Sequence, residues 1–152
     1  MTLSMGFGSS ITAKDLGLDR VHFLIPAGPG GGWDGTARGV GLALSQTQLV
    51  SNITYENAAG GGGGRAIAKL IETAERQQNT LLISSTPIIV RALQGVFPQS
   101  FRDLVPVAAM IADYSCFAVR ADSEFQNFSD LAKRYKADPR SLVVAGGSVR
   151  GN

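Results

Sequence analysis

Three glycine-rich turns, each placed just after an apolar strand-like run, limit what this chain can fold into. They read Ala27-Gly28-Pro29-Gly30-Gly31-Gly32-Trp33-Asp34, Ala59-Gly60-Gly61-Gly62-Gly63-Gly64-Arg65 and Ala145-Gly146-Gly147-Ser148-Val149-Arg150-Gly151. Glycine lets bare backbone N–H groups come close to a ligand, and a helix that follows adds its positive N-terminal end. Holding an anion in this way needs no catalytic side chain.

The segments between the turns predict an α/β fold. Val21 to Ile25 is a continuous apolar run ending at Pro26, as in a strand buried on both faces. Ala37, Val40, Gly41 and Leu44 then fall on one helical face, predicting a helix from about Gly35 to Gln48 with Asp34 as its N-cap. The rhythm repeats. Ile53 to Glu56 reads as a short strand, and Ile67, Leu70, Ile71 and Ala74 mark the buried face of a second helix. Arg65, Lys69, Glu72 and Arg76 lie on that helix's wet face. Leu81 to Ser84 is a third strand, followed by the polar turn Ser85-Thr86-Pro87 and an apolar helix from Ile88 to Leu93. Strand–turn–helix units in series predict a parallel sheet with right-handed crossovers, whose ligands sit beyond the carboxyl ends of the strands.

Beyond Phe97 the pattern changes. Val105 to Ile111, Cys116 to Val119 and Leu142 to Ala145 read as strands, with a helix marked by Phe128, Leu131, Ala132 and Tyr135 between the last two. The expected organisation is a first α/β lobe over residues 1–111, then a crossover and an incomplete second lobe over 112–152.

Composition removes several function classes. A chain of 152 residues can bury a core, and with 17% charged residues it is globular. Its 19 glycines exceed a usual share of about 7% and are concentrated in loops. The net charge is +2 and no Lys/Arg run exists, which argues against a nucleic-acid surface. Cys116 is the sole cysteine and His22 the sole histidine, so neither an intrachain disulfide nor a His/Cys metal cluster is expected. Cys116 reads as a small core residue and His22 as a packed strand residue. No window of 18 uninterrupted apolar residues is present, so no membrane span is expected, and Met1 to Ser10 lacks the charged n-region of a signal peptide, so an intracellular protein and one whose export signal lies outside this chain are both expected alternatives.

Gly30-Gly31-Gly32-Trp33-Asp34-Gly35 also satisfies G-x-G-x-x-G, with Glu56 at the end of the second strand where a dinucleotide fold places its ribose acid. A Rossmann-type oxidoreductase domain is therefore the alternative. Against it stand the second glycine run, the bulk of Trp33 and the charge of Asp34. A Walker A loop is excluded because Gly64 is followed by Arg65-Ala66. The five glycines Gly60 to Gly64 read as an ordered anion-binding turn, with a flexible linker as the plain alternative. Ser84-Ser85-Thr86 reads as a ligand-binding hydroxyl turn or a simple helix cap.

Taken in order, these segments resemble the receptors of tripartite tricarboxylate transporters, the TctC/Bug-type extracytoplasmic solute-binding family. Pro29-Gly30-Gly31, Asp34 and Ala37-Arg38 match its first-loop signature. Tyr55 to Gly63 is similar to its Glu-Asn-x-Pro-Gly-x-Gly-Gly element, with Ala59 in the proline position. Leu104 to Ala108 is similar to its crossing strand, and Phe128 to Pro139 with Ala145 to Ser148 to its helix and third loop. The resemblance implies a periplasmic-binding-protein-like lobe with the start of a second, a periplasmic location with the export signal outside this chain, and no enzymatic activity, cofactor or metal. It implies a citrate-like di- or tricarboxylate as ligand and the membrane components of a tripartite transporter as partners. The implied ligand-binding residues are Gly30, Gly31, Gly32, Trp33, Asp34, Gly62, Gly63, Ser85 and Thr86, with Ser148 from the second lobe.

Overall fold

The computed structural model describes residues 18–112, 114 and 116–145, which fall into two compact units, within 18–105 and 106–145. The first contains a parallel sheet. Its strands are β1 (Arg20–Ile25), β2 (Asn52–Asn57) and β3 (Thr80–Leu82), in the order β2-β1-β3. In register, Val21 lies beside Ile53 and Phe23 beside both Tyr55 and Leu81. As the central strand, β1 is buried on both faces, and so Phe23, Leu24 and Ile25 are all essentially inaccessible. The continuous apolar run is the sequence signature of that position.

Helix α1 (Gly32–Gln46) links β1 to β2, and α2 (Gly64–Glu72) links β2 to β3. Ala37 and Trp33 of α1 join Val21, Phe23, Ile25 and Val50 in one core on the first face of the sheet. The other face carries His22, Leu24, Thr54 and Glu56, and there Lys69 of α2 reaches Glu56. Helices on opposite faces are what right-handed crossovers demand when the chain moves first to one side of β1 and then to the other. A fourth element, α3 (Thr86–Leu93), follows β3 and packs Ile88 against the core.

Helix α1 starts three residues before the expected Gly35, and its N-cap is Gly31. Asp34 is thus the third helical residue. The five-glycine run is ordered: Gly61–Gly63 form a 3-10 turn that runs directly into α2, and Gly60, Gly61, Gly62 and Gly63 all have positive φ. Side chains are strained in that region, so the run is a conformational requirement rather than a linker.

In the second unit, α4 (Phe128–Ala137) forms where the periodicity places it. Asn127 caps it by accepting from the Asp130 amide at 3.1 Å, and Arg134 and Lys136 lie in its last turn. Phe117 packs on Phe128 with ring centroids 5.3 Å apart. The three strands expected beyond Phe97 are absent among the described residues: 105–111, 116–119 and 142–145 form no ladder. A strand gains its hydrogen bonds only from a neighbour, and β-branched composition does not supply one. With no layer to bury it, Cys116 is exposed rather than in a core, and Val143 is fully exposed.

The packing of α1 on β2 gives a test with an inverted sign. A Cβ on Gly41 would collide with the Tyr55 ring and hydroxyl. That ring has little room to retreat, because it is stacked on Phe23 at 5.6 Å and covered by the Arg38 guanidinium at 4.9 Å. In an open helix Gly→Ala stabilises by up to about 1 kcal/mol. Here Gly41→Ala is expected to destabilise by about 1–3 kcal/mol in urea unfolding followed by circular dichroism. A stabilised variant would show that the helix–sheet contact is looser than described.

Candidate functional site

The strand order reverses at β1, and in open parallel sheets the crevice beyond the strand ends at such a reversal is where ligands bind. The loops after β1, β2 and β3 converge there. Gly63 lies at their junction: a Cβ on it would sit 2.9 Å from Ile88 Cγ2, 3.6 Å from Pro26 Cβ and 3.9 Å from the Trp33 ring. Only glycine, here at φ 96°, fits between those three neighbours.

Asp34 organises the first loop. It is buried, and both carboxylate oxygens are occupied. Oδ2 accepts from the Gly30 amide at 2.9 Å and from Arg38 Nε at 3.0 Å. Oδ1 accepts from Asn57 Nδ2 at 3.0 Å, and the same Asn57 amide group donates to the Ala27 carbonyl at 2.9 Å. The Arg38 hydrogen bond, then the Gly30 and Asn57 donors, hold the Asp34 carboxyl far below the usual carboxylate range. The side chain named as an N-cap and as a ligand contact therefore spends its acceptors within the protein, tying loop, helix and β2 together. Arg38 offsets the charge that this carboxylate would otherwise set against an incoming anion.

The backbone amides of the glycine loops divide into two groups. Gly31 N–H donates to the Gly28 carbonyl at 3.3 Å, Gly63 N–H to that of Gly60 at 3.2 Å, and Gly30 N–H to Asp34. These three are committed internally. The Gly32 and Trp33 amides, in the first turn of α1, and the Gly62 amide have no acceptor among the described residues. The candidate set of bare donors is thus narrower than the glycine pattern suggests.

Ser85 and Thr86 are exposed at the start of α3. Ser85 occupies the N-cap position, yet its side chain makes no capping bond. Its Oγ instead accepts from Trp33 Nε1 at 2.8 Å, joining the loops after β1 and β3. Forgoing a cap costs a helix about 0.5–2 kcal/mol. The neighbouring Ser84 Oγ is buried with no partner among the described residues. Ser148, named for the second lobe, lies outside the described residues.

Three contributors were not singled out as site residues. Asn57 and Arg38 carry the Asp34 network; both fall within the motifs that carry the family resemblance, Arg38 in the first-loop signature and Asn57 in the second element, but neither was assigned a role. Arg91 flanks the second glycine run: a Cβ on Gly62 would sit 2.8 Å from its Nε. Its signal was a single charge within the apolar stretch of α3. Among the described residues neither Arg91 nor Arg65, beside Gly60, forms an ion pair. Two cations beside a glycine loop favour an anionic visitor.

Glu56, the acid that a dinucleotide site would need, is engaged elsewhere. It pairs with Lys69 and lies 3.6 Å from His22 Nε2, and the Lys69 contact holds its carboxyl below the ordinary value. His22 Nδ1 is in turn 2.8 Å from Thr54 Oγ1, so the histidine is a hydrogen-bonded strand residue.

Over 131 residues, 85% of its length, the chain is 31% identical to the "UPF0065 protein in tcbD-tcbE intergenic region" of Pseudomonas sp. (strain P51). The matched part is 38% of that curated relative, so the chain spans well under half of its length. No family model matches the chain, and no solved structure does. Among the described residues no helix is long and apolar enough to cross a membrane.

The depressed Asp34 carboxyl makes a signed prediction. Its ionised form is favoured by folding, so its stabilisation is complete above the unfolded value of about 3.9 and is lost as pH falls through the lower folded value. Asp34→Asn is expected to lower the urea midpoint at neutral pH and to flatten the decline in stability below about pH 4. An unchanged acid limb in that variant would remove Asp34 from this role.

Proposed function

We propose that this chain carries the ligand-binding lobe of an extracytoplasmic solute receptor, capturing a small di- or tricarboxylate such as citrate without transforming it. The observation that carries this reading is the meeting of three strand-end loops around Gly63, with the Gly32, Trp33 and Gly62 amides without an acceptor among the described residues. The likeness to a UPF0065 protein supports it, because UPF0065 is the Bug/TctC family. So do the arginines beside the glycine run.

In this reading one carboxylate takes the amides of Gly32, Trp33 and Gly62, while the Ser85 and Thr86 hydroxyls take a second acceptor. Gly30, Gly31, Gly63 and Asp34 shape the loops that present those donors. Hydrogen bonds to a charged group contribute about 1.5–3 kcal/mol each, against the cost of ordering the ligand. Ser148 is a further candidate contact, and the receptor delivers its ligand to the membrane components of a tripartite transporter in the periplasm. With so few donors gathered, the affinity of this chain alone is weak, about 1 mM or poorer.

The test is an NMR titration of the 152-residue chain with citrate, succinate and NADH in parallel. Citrate is expected to move the backbone amide signals of Gly32, Trp33, Gly62, Ser85 and Thr86 with millimolar midpoints, and NADH to leave them unmoved. Perturbation by NADH alone would favour the dinucleotide alternative, and micromolar citrate affinity would contradict the weak binding expected of this chain.

A further inference from the structure

We infer that Trp33 is a positioning residue for ligand recognition: its indole N–H fixes the Ser85 hydroxyl so that the hydroxyl proton is presented to an anionic acceptor. The inference rests on the receptor reading above and adds to it a residue whose side chain need not touch the ligand.

The geometry leaves one assignment. An indole nitrogen only donates, so in the 2.8 Å contact Ser85 Oγ must be the acceptor. A hydroxyl that accepts still has its own proton to donate, and accepting one hydrogen bond strengthens it as a donor for the next. Ser85 makes no bond to the start of α3, which is the usual use of a serine at an N-cap. It is exposed, whereas Trp33 is 8% exposed and held in the core beside Ile25 and Ala37. A rigid, buried donor thus aims a solvent-facing hydroxyl from a position 52 residues away in sequence. A site arranged this way favours carboxylate or phosphoryl oxygens over ammonium groups, because the hydroxyl's outstanding capacity includes its only proton.

Trp33 is the sole tryptophan, so its indole gives a single, unambiguous NMR signal. In the free protein, Ser85→Ala is expected to shift that signal and Ser85→Thr, which keeps the hydroxyl, to return it toward the wild-type position. No shift in Ser85→Ala would overturn the inference, and this readout avoids any change to the core. With citrate as probe, Trp33→Phe and Ser85→Ala are each expected to weaken the apparent Kd by about tenfold, and the double variant by no more than either alone. Wild-type affinity in a folded Trp33→Phe, or a double variant equal to the product of the two effects, would overturn it. Loss of that inference alone is distinguished from loss of the receptor reading by the wild-type titration: no citrate response in the wild-type chain removes both.

Discussion

The Asp34 carboxylate is the interaction on which the arrangement of the loops depends. Three donors from three places converge on it: the Gly30 amide of the first loop, Arg38 one turn along α1, and Asn57 at the end of β2. Asn57 also reaches the Ala27 carbonyl, so the same knot fixes the chain as it leaves β1. Burying a carboxylate is costly unless its acceptors are filled by charged or well-aimed donors, and here they are. The consequence is a first loop whose shape is set before any ligand arrives.

On that fixed loop, the second glycine run and the start of α3 are brought into register by close packing. Gly63 admits Pro26, Trp33 and Ile88 around one backbone atom, and the Trp33 indole bridges to Ser85. The local rules are broken at this spot in two ways. Four successive glycines are spent on positive φ just ahead of a helix, where they favour the turn but weaken the helix start, and an N-cap serine leaves its helix uncapped. Such departures from local preference are expected where a fold supports a binding site rather than its own stability.

Much of this was legible in the chain itself. The buried run Val21 to Ile25, the helical periods and the placement of glycine after strands are local signals, and α/β architecture with parallel strands follows from them. The second unit was legible only in its helix. Phe128 to Ala137 formed because its cap and its turn-to-turn contacts are its own, whereas residues 105–111, 116–119 and 142–145 need neighbours to become strands. The first two glycine loops were legible as ordered turns, and the third lies outside the described residues; that Gly30, Gly31 and Gly63 use their amides at home was not legible.

By itself the sequence determined the periodicities, the turn positions and the backbone freedom at each glycine, because these depend on residues within a few positions of one another. The tertiary structure alone decided that Asp34 faces inward, that Glu56 belongs to Lys69 and that Trp33 meets Ser85. Those pairings join residues 4, 13 and 52 positions apart, and the longer two are fixed by strand order and helix crossing rather than by local preference. A donor or acceptor is free or spent only with respect to what the fold places beside it, and that is information no single segment carries.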